Sequence, residues 1–223
     1  MNVTDILRGA IAASALSALL AAPAALGQPA AAPAAAAAKP AFKMPVPVKD
    51  YKASPAGKYA VDQAHTGVIA RVSHVGFSYS VFRFTTVSGT LTWDPANPGA
   101  DAMSITVDPK SIATANTGGD FSGELSGQYL KAAQFPTATF VSKAFHVVDA
   151  THGSVDGDMT IMGVTKPVTF DVELVGAGQA FKGPVLGVHA ETDIHPAEYG
   201  LPAAFFSAPI RLIVDTELDK QAG

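Results

Sequence analysis

The chain has 223 residues and a formal net charge of -4, and its length allows one large domain or two small ones with a sizeable core. It contains no cysteine, which excludes disulfide scaffolds, thiol nucleophiles, thiolate zinc sites and iron–sulfur clusters. A pI near 5.8 argues against nucleic acid as a partner, because binding to phosphates requires a basic face.

Residues 1–27 have the features of an export signal. An Ala- and Leu-rich run from about residue 10 to residue 22 is followed by small residues. A retained membrane anchor would need about 20 apolar residues, whereas this run is interrupted by serines and by Pro23. We therefore expect cleavage after Ala24 or Gly27, a periplasmic location and no membrane-spanning segment in the mature protein.

Residues 28–57 consist largely of Ala, Pro and Lys and are predicted to form a disordered linker. The Lys residues of this segment are scattered, which favours a solvated spacer over a tether to anionic membranes. From residue 59 onward, the chain has 9 Lys and Arg residues and 17 Asp and Glu residues, which gives a net charge of -8. A basic linker therefore precedes an acidic domain, for which we predict the bounds 58–220.

The domain is dominated by short runs in which apolar and polar residues alternate, with turn residues between them. Only residues 122–133 are typical of a helix. About eight antiparallel strands in this length indicate an all-β fold, either a β-barrel or a two-sheet sandwich. The alternating runs lie at residues 68–75, 82–93, 103–107, 139–148, 158–162, 168–174, 185–194 and 210–218, and we expect GVTKP (163–167) to connect a hairpin.

Several longer sequence segments of the domain form a recognisable pattern when they are taken together and in order. They are YAVDQAHTGVIARVSHVGFS (59–78), SGTLTWDPANPGA (88–100), AAQFPTATF (132–140) and DMTIMGVTKPVTFDVEL (158–174). Together they resemble the YceI-like family of periplasmic lipid-binding proteins, and the similarity covers about Lys58 to Glu217. The resemblance implies a lipocalin-like antiparallel β-barrel of about eight strands with one short helical segment.

Two positions depart from the family pattern, and each lacks an arginine. Gly119-Asp120 stands where the family usually has Arg-Asp, and residues 195–200 (HPAEYG) stand where it usually has Arg-x-x-Phe-Gly. Where those arginines hold an anionic head group in relatives, their loss implies a preference for a neutral or differently charged head group.

The best candidate metal ligands are His189, Glu191, Asp193 and His195, which are spaced by two and so share one face of a strand. Side chains two apart on a strand are separated by about 7 Å, too far for all four to bind one ion. We therefore interpret them as a polar outer face whose neighbours, such as Val188 and Ala190, point inward, and we predict no metal site.

His74 is unusual because the alternation places it on the apolar face of its strand, beside Val72. A core histidine with a satisfied hydrogen bond is the favoured interpretation, ahead of contact with a ligand head group. A catalytic alternative would use His74 or His65 with a carboxylate such as Asp62, but no catalytic constellation is recognisable, so we predict no enzyme and no catalytic residue.

The functional prediction depends on the interior of the barrel. We predict a binding or carrier protein that holds an isoprenoid or another long-chain lipid, with no cofactor other than such a lipid and no nucleic-acid partner. A homodimer is left open, as is an envelope interaction module with a filled core. The candidate lipid-binding residues are Val68, Ala70, Val72, His74, Phe82, Phe84, Leu91, Trp93, Ile105, Phe140, Met159, Ile161, Phe170, Val172, Ile210 and Leu212, and Val107 is also expected to face inward.

Overall fold

A computed structural model of the chain describes residues 42–115 and 119–222. The predicted export signal and residues 28–41 of the predicted linker lie outside the described residues. The elements are β1 (Gly57–His74), β2 (Ser78–Phe84), β3 (Val87–Trp93), β4 (Ala102–Val107), β5 (Ile112–Ala113), α1 (Phe121–Glu124), β6 (Ala138–Val147), β7 (His152–Ile161), β8 (Val164–Gln179), β9 (Pro184–Ile194) and β10 (Ile210–Lys220).

Eight of these strands close into an antiparallel barrel. Their order around the barrel is β1, β3, β4, β6, β7, β8, β9 and β10, and β10 pairs back with β1. This closing pair runs from Tyr59 opposite Lys220 to Arg71 opposite Arg211, with a register shift between Asp62 and Gly67. The prediction of an all-β antiparallel barrel of about eight strands is confirmed.

Strand β1 is long enough to pair with two partners along one edge. Its first residues pair with β3, whereas residues from Val68 onward pair with β2, which in turn pairs with β5. The predicted single run over residues 82–93 is wrong, because Thr85 and Thr86 separate β2 from β3. The N–H groups of both threonines bond to Ser111 instead of to a strand partner.

The predicted hairpin near GVTKP is present, with a shorter connection than expected. Met162 and Gly163 form a two-residue turn with φ values of 49° and 76°. Positive φ at both central residues is what a tight turn between two right-twisted strands requires. Strand β8 therefore begins at Val164, and the Lys-Pro pair of the motif already belongs to it.

The predicted helical segment is present and short. Asp120 caps α1 by accepting a hydrogen bond from the Gly123 N–H at 2.9 Å, and a π-helical turn continues α1 over Leu125–Tyr129. Phe121 and Leu125 of this segment pack against the barrel core. Within residues 42–115 and 119–222, no helix has both the length and the apolar character needed to cross a membrane.

Residues 48–56 pack against one end of the barrel, so the prediction of a disordered linker is wrong for this stretch. Ser54 is fully buried, and its hydroxyl donates to the Val185 carbonyl at 2.7 Å. Val48 forms an isolated bridge with Ala177. The Tyr59 hydroxyl donates to the Pro55 carbonyl at 2.6 Å. Structural contacts therefore begin about ten residues before the predicted domain boundary.

Candidate functional site

The barrel encloses a cavity of about 300 Å³ whose walls are almost entirely apolar. This volume is at the low end of the range of about 300 to 1,000 Å³ found for small-molecule pockets. A barrel of about eight strands either fills its interior with side chains or leaves room for one small ligand. Here the interior is hollow along part of its length.

Strand alternation creates the apolar wall, and side-chain size sets its shape. Ala70 of β1 and Ala190 of β9 are small inward-facing residues that leave space. Phe140 of β6 and Phe170 of β8 fill space, with ring centroids 5.1 Å apart in an edge-to-face arrangement. Both rings are buried, and edge-to-face packing is an arrangement that aromatic pairs prefer.

Most of the predicted lipid-binding residues face this cavity. Val107, expected to face inward, also lines it. Their contact with a lipid stays a prediction. The thirteen that line the cavity are Val68, Ala70, Phe84, Leu91, Trp93, Ile105, Phe140, Met159, Ile161, Phe170, Val172, Ile210 and Leu212.

Three of the predicted residues lie elsewhere. Phe82 is buried in the core against Phe121, with ring centroids 6.1 Å apart, and Val72 is half-buried against the same core. The expectation that His74 is a core histidine is wrong, since its side chain is exposed. His74 is the last residue of β1, where the strand leads into an exposed turn, so the alternation no longer places it in the interior.

Several lining residues are not among the predicted ones. Phe145 lies inside because the register of β6 shifts between Ser142 and Ala144, which reverses the alternation after Phe140. Tyr51 comes from the predicted linker, and it packs edge-on against Trp93 at 6.0 Å. The alternation of apolar and polar residues alone does not identify either residue as part of the cavity lining.

The cavity reaches the surface at the β6–β7 hairpin. All of the exposed residues among its described lining belong to this hairpin, namely His146, Val147, Asp149, Ala150 and His152. Tyr51 bonds to the same hairpin through its N–H, which donates to the Ala150 carbonyl at 3.1 Å. We call this region the mouth, and it adjoins the end of the barrel covered by residues 48–56.

Two carboxylates belong to residues that line the cavity, and they have different environments. Asp101 is 9% exposed. Its Oδ1 accepts a hydrogen bond from the Asp94 N–H at 2.6 Å, and burial raises its pKa to about 6. Asp149 is exposed and accepts from the N–H groups of Thr151 and His152 at 2.7 and 2.8 Å. These bonds lower its pKa to about 2.

The candidate metal ligands of β9 lie on the outer face and are engaged with β10. The guanidinium of Arg211 donates to Asp193 at 2.8 and 3.0 Å and to Glu191 at 2.9 Å. His189 is hydrogen-bonded to Asp215, with Nδ1 and Oδ1 2.7 Å apart. The guanidinium of Arg211 therefore already lies among these carboxylates as a fixed cation. On the same strand, Val188, Ala190 and Ile194 line the cavity.

The pair proposed for the catalytic alternative, Asp62 and His65, lies together outside the cavity lining. His65 Nδ1 is 2.8 Å from Asp62 Oδ2 and 3.9 Å from Glu217 Oε2. The hydrogen bond with Asp62 raises the pKa of His65 and lowers that of Asp62. The His65 side chain is 63% exposed, and the group is best described as a solvated ion pair at the register shift of β1.

Comparisons with known proteins agree with this architecture. A family model described as a YceI-like domain matches residues 59–218. A UPF0312 protein of Vibrio vulnificus is 36% identical over 171 residues, which cover 74% of this chain and 87% of that protein. Protein YceI of Escherichia coli is 32% identical over 167 residues, with 73% and 86% covered.

Two solved structures share the fold. Burkholderia cenocepacia BcnA superposes with a TM-score of 0.62 at 21% identity, covering 70% of this chain and 98% of that one. A polyisoprenoid binding domain from Saccharophagus degradans superposes with a TM-score of 0.51 at 16% identity, covering 73% and 98%. At these identities, the likeness concerns the fold.

Proposed function

Because this chain belongs to the YceI-like domain family, we propose that it is a non-enzymatic periplasmic carrier that holds an isoprenoid or another long-chain amphiphile inside its barrel. The observation that carries the proposal is the apolar cavity with its mouth at the β6–β7 hairpin. The export-type sequence of residues 1–27 supports the periplasmic location.

The character of the cavity wall favours an alkyl or isoprenoid chain over a polar ligand. Burial of each CH₂ group contributes about 0.8 kcal/mol, so ten such groups contribute about 8 kcal/mol. This gain offsets an association cost of several kcal/mol. Affinity would then come from the buried chain, whereas specificity would come from the few polar groups at the mouth.

The similarity in fold to a polyisoprenoid binding domain adds support for this class of ligand. The cavity speaks against an interaction module with a filled core. The catalytic alternative receives little support, because His74 is exposed at the end of β1 and His65 lies outside the cavity lining.

The proposal can be tested with two substitutions on the same strand. Ala70 faces the cavity, whereas Ala60 is ten residues earlier on β1 and does not line it. Ala70→Phe should fill part of the cavity, and Ala60→Phe is the matched control. Each protein would be purified from its producing cells without detergent, weighed by native mass spectrometry and extracted with organic solvent.

We expect the parent protein and Ala60→Phe to carry a long-chain species, and Ala70→Phe to carry at least tenfold less while its circular dichroism spectrum still shows a folded β-barrel. A clean ligand-free mass for the parent protein, together with no rise in melting temperature on addition of polyprenols or fatty acyl amides, would refute the proposal.

A further inference from the structure

The hairpin formed by β1 and β2 carries large apolar side chains on its surface. Phe77 is 91% exposed and Val75 is 80% exposed, and both lie in the turn between the strands. Tyr79 and Val81 follow on the outer face of β2, where they are 60% and 51% exposed. A contiguous apolar patch of this kind marks an interaction surface. We call residues 71–83 the projecting hairpin.

The projecting hairpin extends beyond the neighbouring strands of the barrel. The pairing of β1 with β10 ends at Arg71, opposite Arg211, whereas its pairing with β2 continues to His74, opposite Ser78. On its other edge, β2 pairs with β5 only through its last two residues. The turn is therefore the part of the hairpin that a flat surface can approach first.

The backbone of the turn is strained at Val75. Its φ is 54°, a left-handed value that is rare for a β-branched residue and suits Gly or Asn better. The next residue, Gly76, also has a positive φ, and the Phe77 N–H closes the turn by donating to the His74 carbonyl at 3.0 Å. Because the Val75 side chain is exposed, packing in the core does not offset this strain. An apolar residue at this position indicates a role other than folding.

The projecting hairpin is cationic, although the domain is acidic. Residues 63–93 contain Arg71 and Arg83 and no Asp or Glu, whereas the net charge from residue 59 onward is -8. The Arg71 guanidinium lies 4.5 Å from the centre of the Tyr79 ring, and Arg83 is exposed. In the part of the chain that the structure describes, neither guanidinium has a carboxylate within 4.0 Å. Both are therefore available to an external anion.

We propose that the projecting hairpin docks the protein on the surface of an anionic phospholipid membrane. Val75 and Phe77 enter the boundary between head groups and acyl chains, and Arg71 and Arg83 contact lipid phosphates. A bilayer offers this combination, because an apolar interior lies beneath a layer of phosphates. Buried apolar area and attraction to anionic lipids both contribute to such binding, and guanidinium groups suit phosphate.

Docking goes beyond the proposed function and does not require a lipid inside the barrel. Strand β1 begins beside residues 48–56, next to the mouth, and its other end leads into the turn of the hairpin. The hairpin and the mouth therefore lie at opposite ends of the barrel. Docking through the hairpin leaves the mouth open to solution, so vesicle binding and lipid content can be measured separately.

The test measures cosedimentation of the protein, purified from its producing cells without detergent, with two kinds of vesicle. One is pure phosphatidylcholine, and the other also contains phosphatidylglycerol. The hairpin variant is Phe77→Ser with Arg83→Gln. The matched control is Phe181→Ser with Lys182→Gln, two exposed positions between β8 and β9 at the other end of the barrel. Each variant removes one exposed phenylalanine and one cation, so the two differ in the place of the change.

We expect the parent protein to bind the anionic vesicles at least about tenfold more tightly than the phosphatidylcholine vesicles at low ionic strength. The hairpin variant should bind the anionic vesicles at least about tenfold more weakly than the parent protein, and the control variant should bind as the parent does. Val75→Asn should also weaken binding without lowering the melting temperature, because Asn tolerates positive φ.

Equal binding of the anionic vesicles by the parent protein and the hairpin variant would overturn the inference, as would a parent protein that binds neither kind of vesicle. A dimer seen by analytical ultracentrifugation, which the hairpin variant converts to a monomer without any vesicle binding, would assign the hairpin to a second copy of the chain instead. Native mass spectrometry tests the carrier function independently. A parent protein that binds vesicles through the hairpin but carries no long-chain species would refute that function alone.

Discussion

Gly157 of β7 lies against the tip of the aromatic ring of Phe140 on β6. A Cβ atom at Gly157 would be 2.5 Å from Cζ of that ring and 2.5 Å from the carbonyl oxygen of Val141. The backbone oxygen cannot move without disturbing the β6–β7 pairing. Glycine at this position therefore leaves room for the Phe140 ring, which packs against Phe170.

Gly157→Ala should destabilise the protein by about 1 to 3 kcal/mol, since overpacking a buried site costs about this much. The measurement is urea unfolding followed by circular dichroism. Gly187→Ala on β9 is the control, because a Cβ there meets its nearest atom at an ordinary 3.5 Å. An equal effect of the two substitutions would show that the Phe140 contact is unimportant.

Ser54 should be needed for stability although it precedes the first strand. Its buried hydroxyl donates to the Val185 carbonyl at 2.7 Å and accepts from the Gly178 N–H at 3.2 Å. Ser54→Ala leaves both backbone groups without this partner, which should cost about 1 to 3 kcal/mol in thermal or urea unfolding. Ser88→Ala, at an exposed position of β3, should change stability by less than about 0.5 kcal/mol. A negligible loss for Ser54→Ala would mean that residues 48–56 are only loosely attached.

The pH dependence of stability should contain a component from Asp101. Burial raises its pKa in the folded state to about 6 from an ordinary value of 3.8. The folded state therefore holds a proton that the unfolded state releases between about pH 4 and pH 6. The resulting stabilisation is complete below pH 3.8, and it is lost as the pH rises through about 6.

The comparison that isolates this component is the parent protein against Asp101→Asn. The difference in unfolding free energy between them should change in favour of the variant by at most about 3 kcal/mol between pH 4 and pH 7. Above pH 7 the difference should be constant. Subtracting the unfolding free energy of one protein from that of the other removes the contributions of the other carboxylates. A difference that does not vary with pH would contradict burial of the Asp101 carboxyl.

His65 should titrate at a higher pH than an ordinary histidine. Its pKa is raised above 6.5, first by the hydrogen bond with Asp62 and then by the charge of Glu217. The pair therefore stabilises the fold fully between about pH 3.8 and pH 6.5. This contribution is lost as the pH rises through the raised pKa of His65, and also as the pH falls through the lowered pKa of Asp62. NMR titration of the imidazole should show the raised pKa, and Asp62→Asn should lower it. An unchanged pKa in that variant would show that the pair is not formed in solution.

Much of the barrel can be predicted from alternation, because a strand that is half buried must alternate. Phe170, Val172 and Ile210 are identified in this way, and all three line the cavity. The same rule fails at His74, since alternation indicates which face a residue is on but not where the core ends. It also fails at Phe145, where the register shift in β6 reverses the faces.

The polar part of the site is harder to find, because it depends on contacts between distant segments. Asp101 follows a Pro- and Gly-rich stretch and resembles any turn residue, and only the assembled barrel shows that one of its oxygens is buried. Tyr51 and Ser54 lie in a composition typical of linkers, yet their partners are Ala150 and Val185, about 100 or more residues away. Sequence patterns of short range do not contain this information.

The claim that a chain enters the barrel can be tested most directly with Trp93, the single tryptophan of the protein, which lines the cavity. Bromine atoms quench indole fluorescence only at close contact. A long-chain alcohol carrying two bromines in mid-chain should therefore quench Trp93 saturably, while the unbrominated alcohol competes and restores the emission. Absence of quenching at concentrations where the brominated alcohol is shown to bind would place the chain outside the barrel and contradict the proposed function.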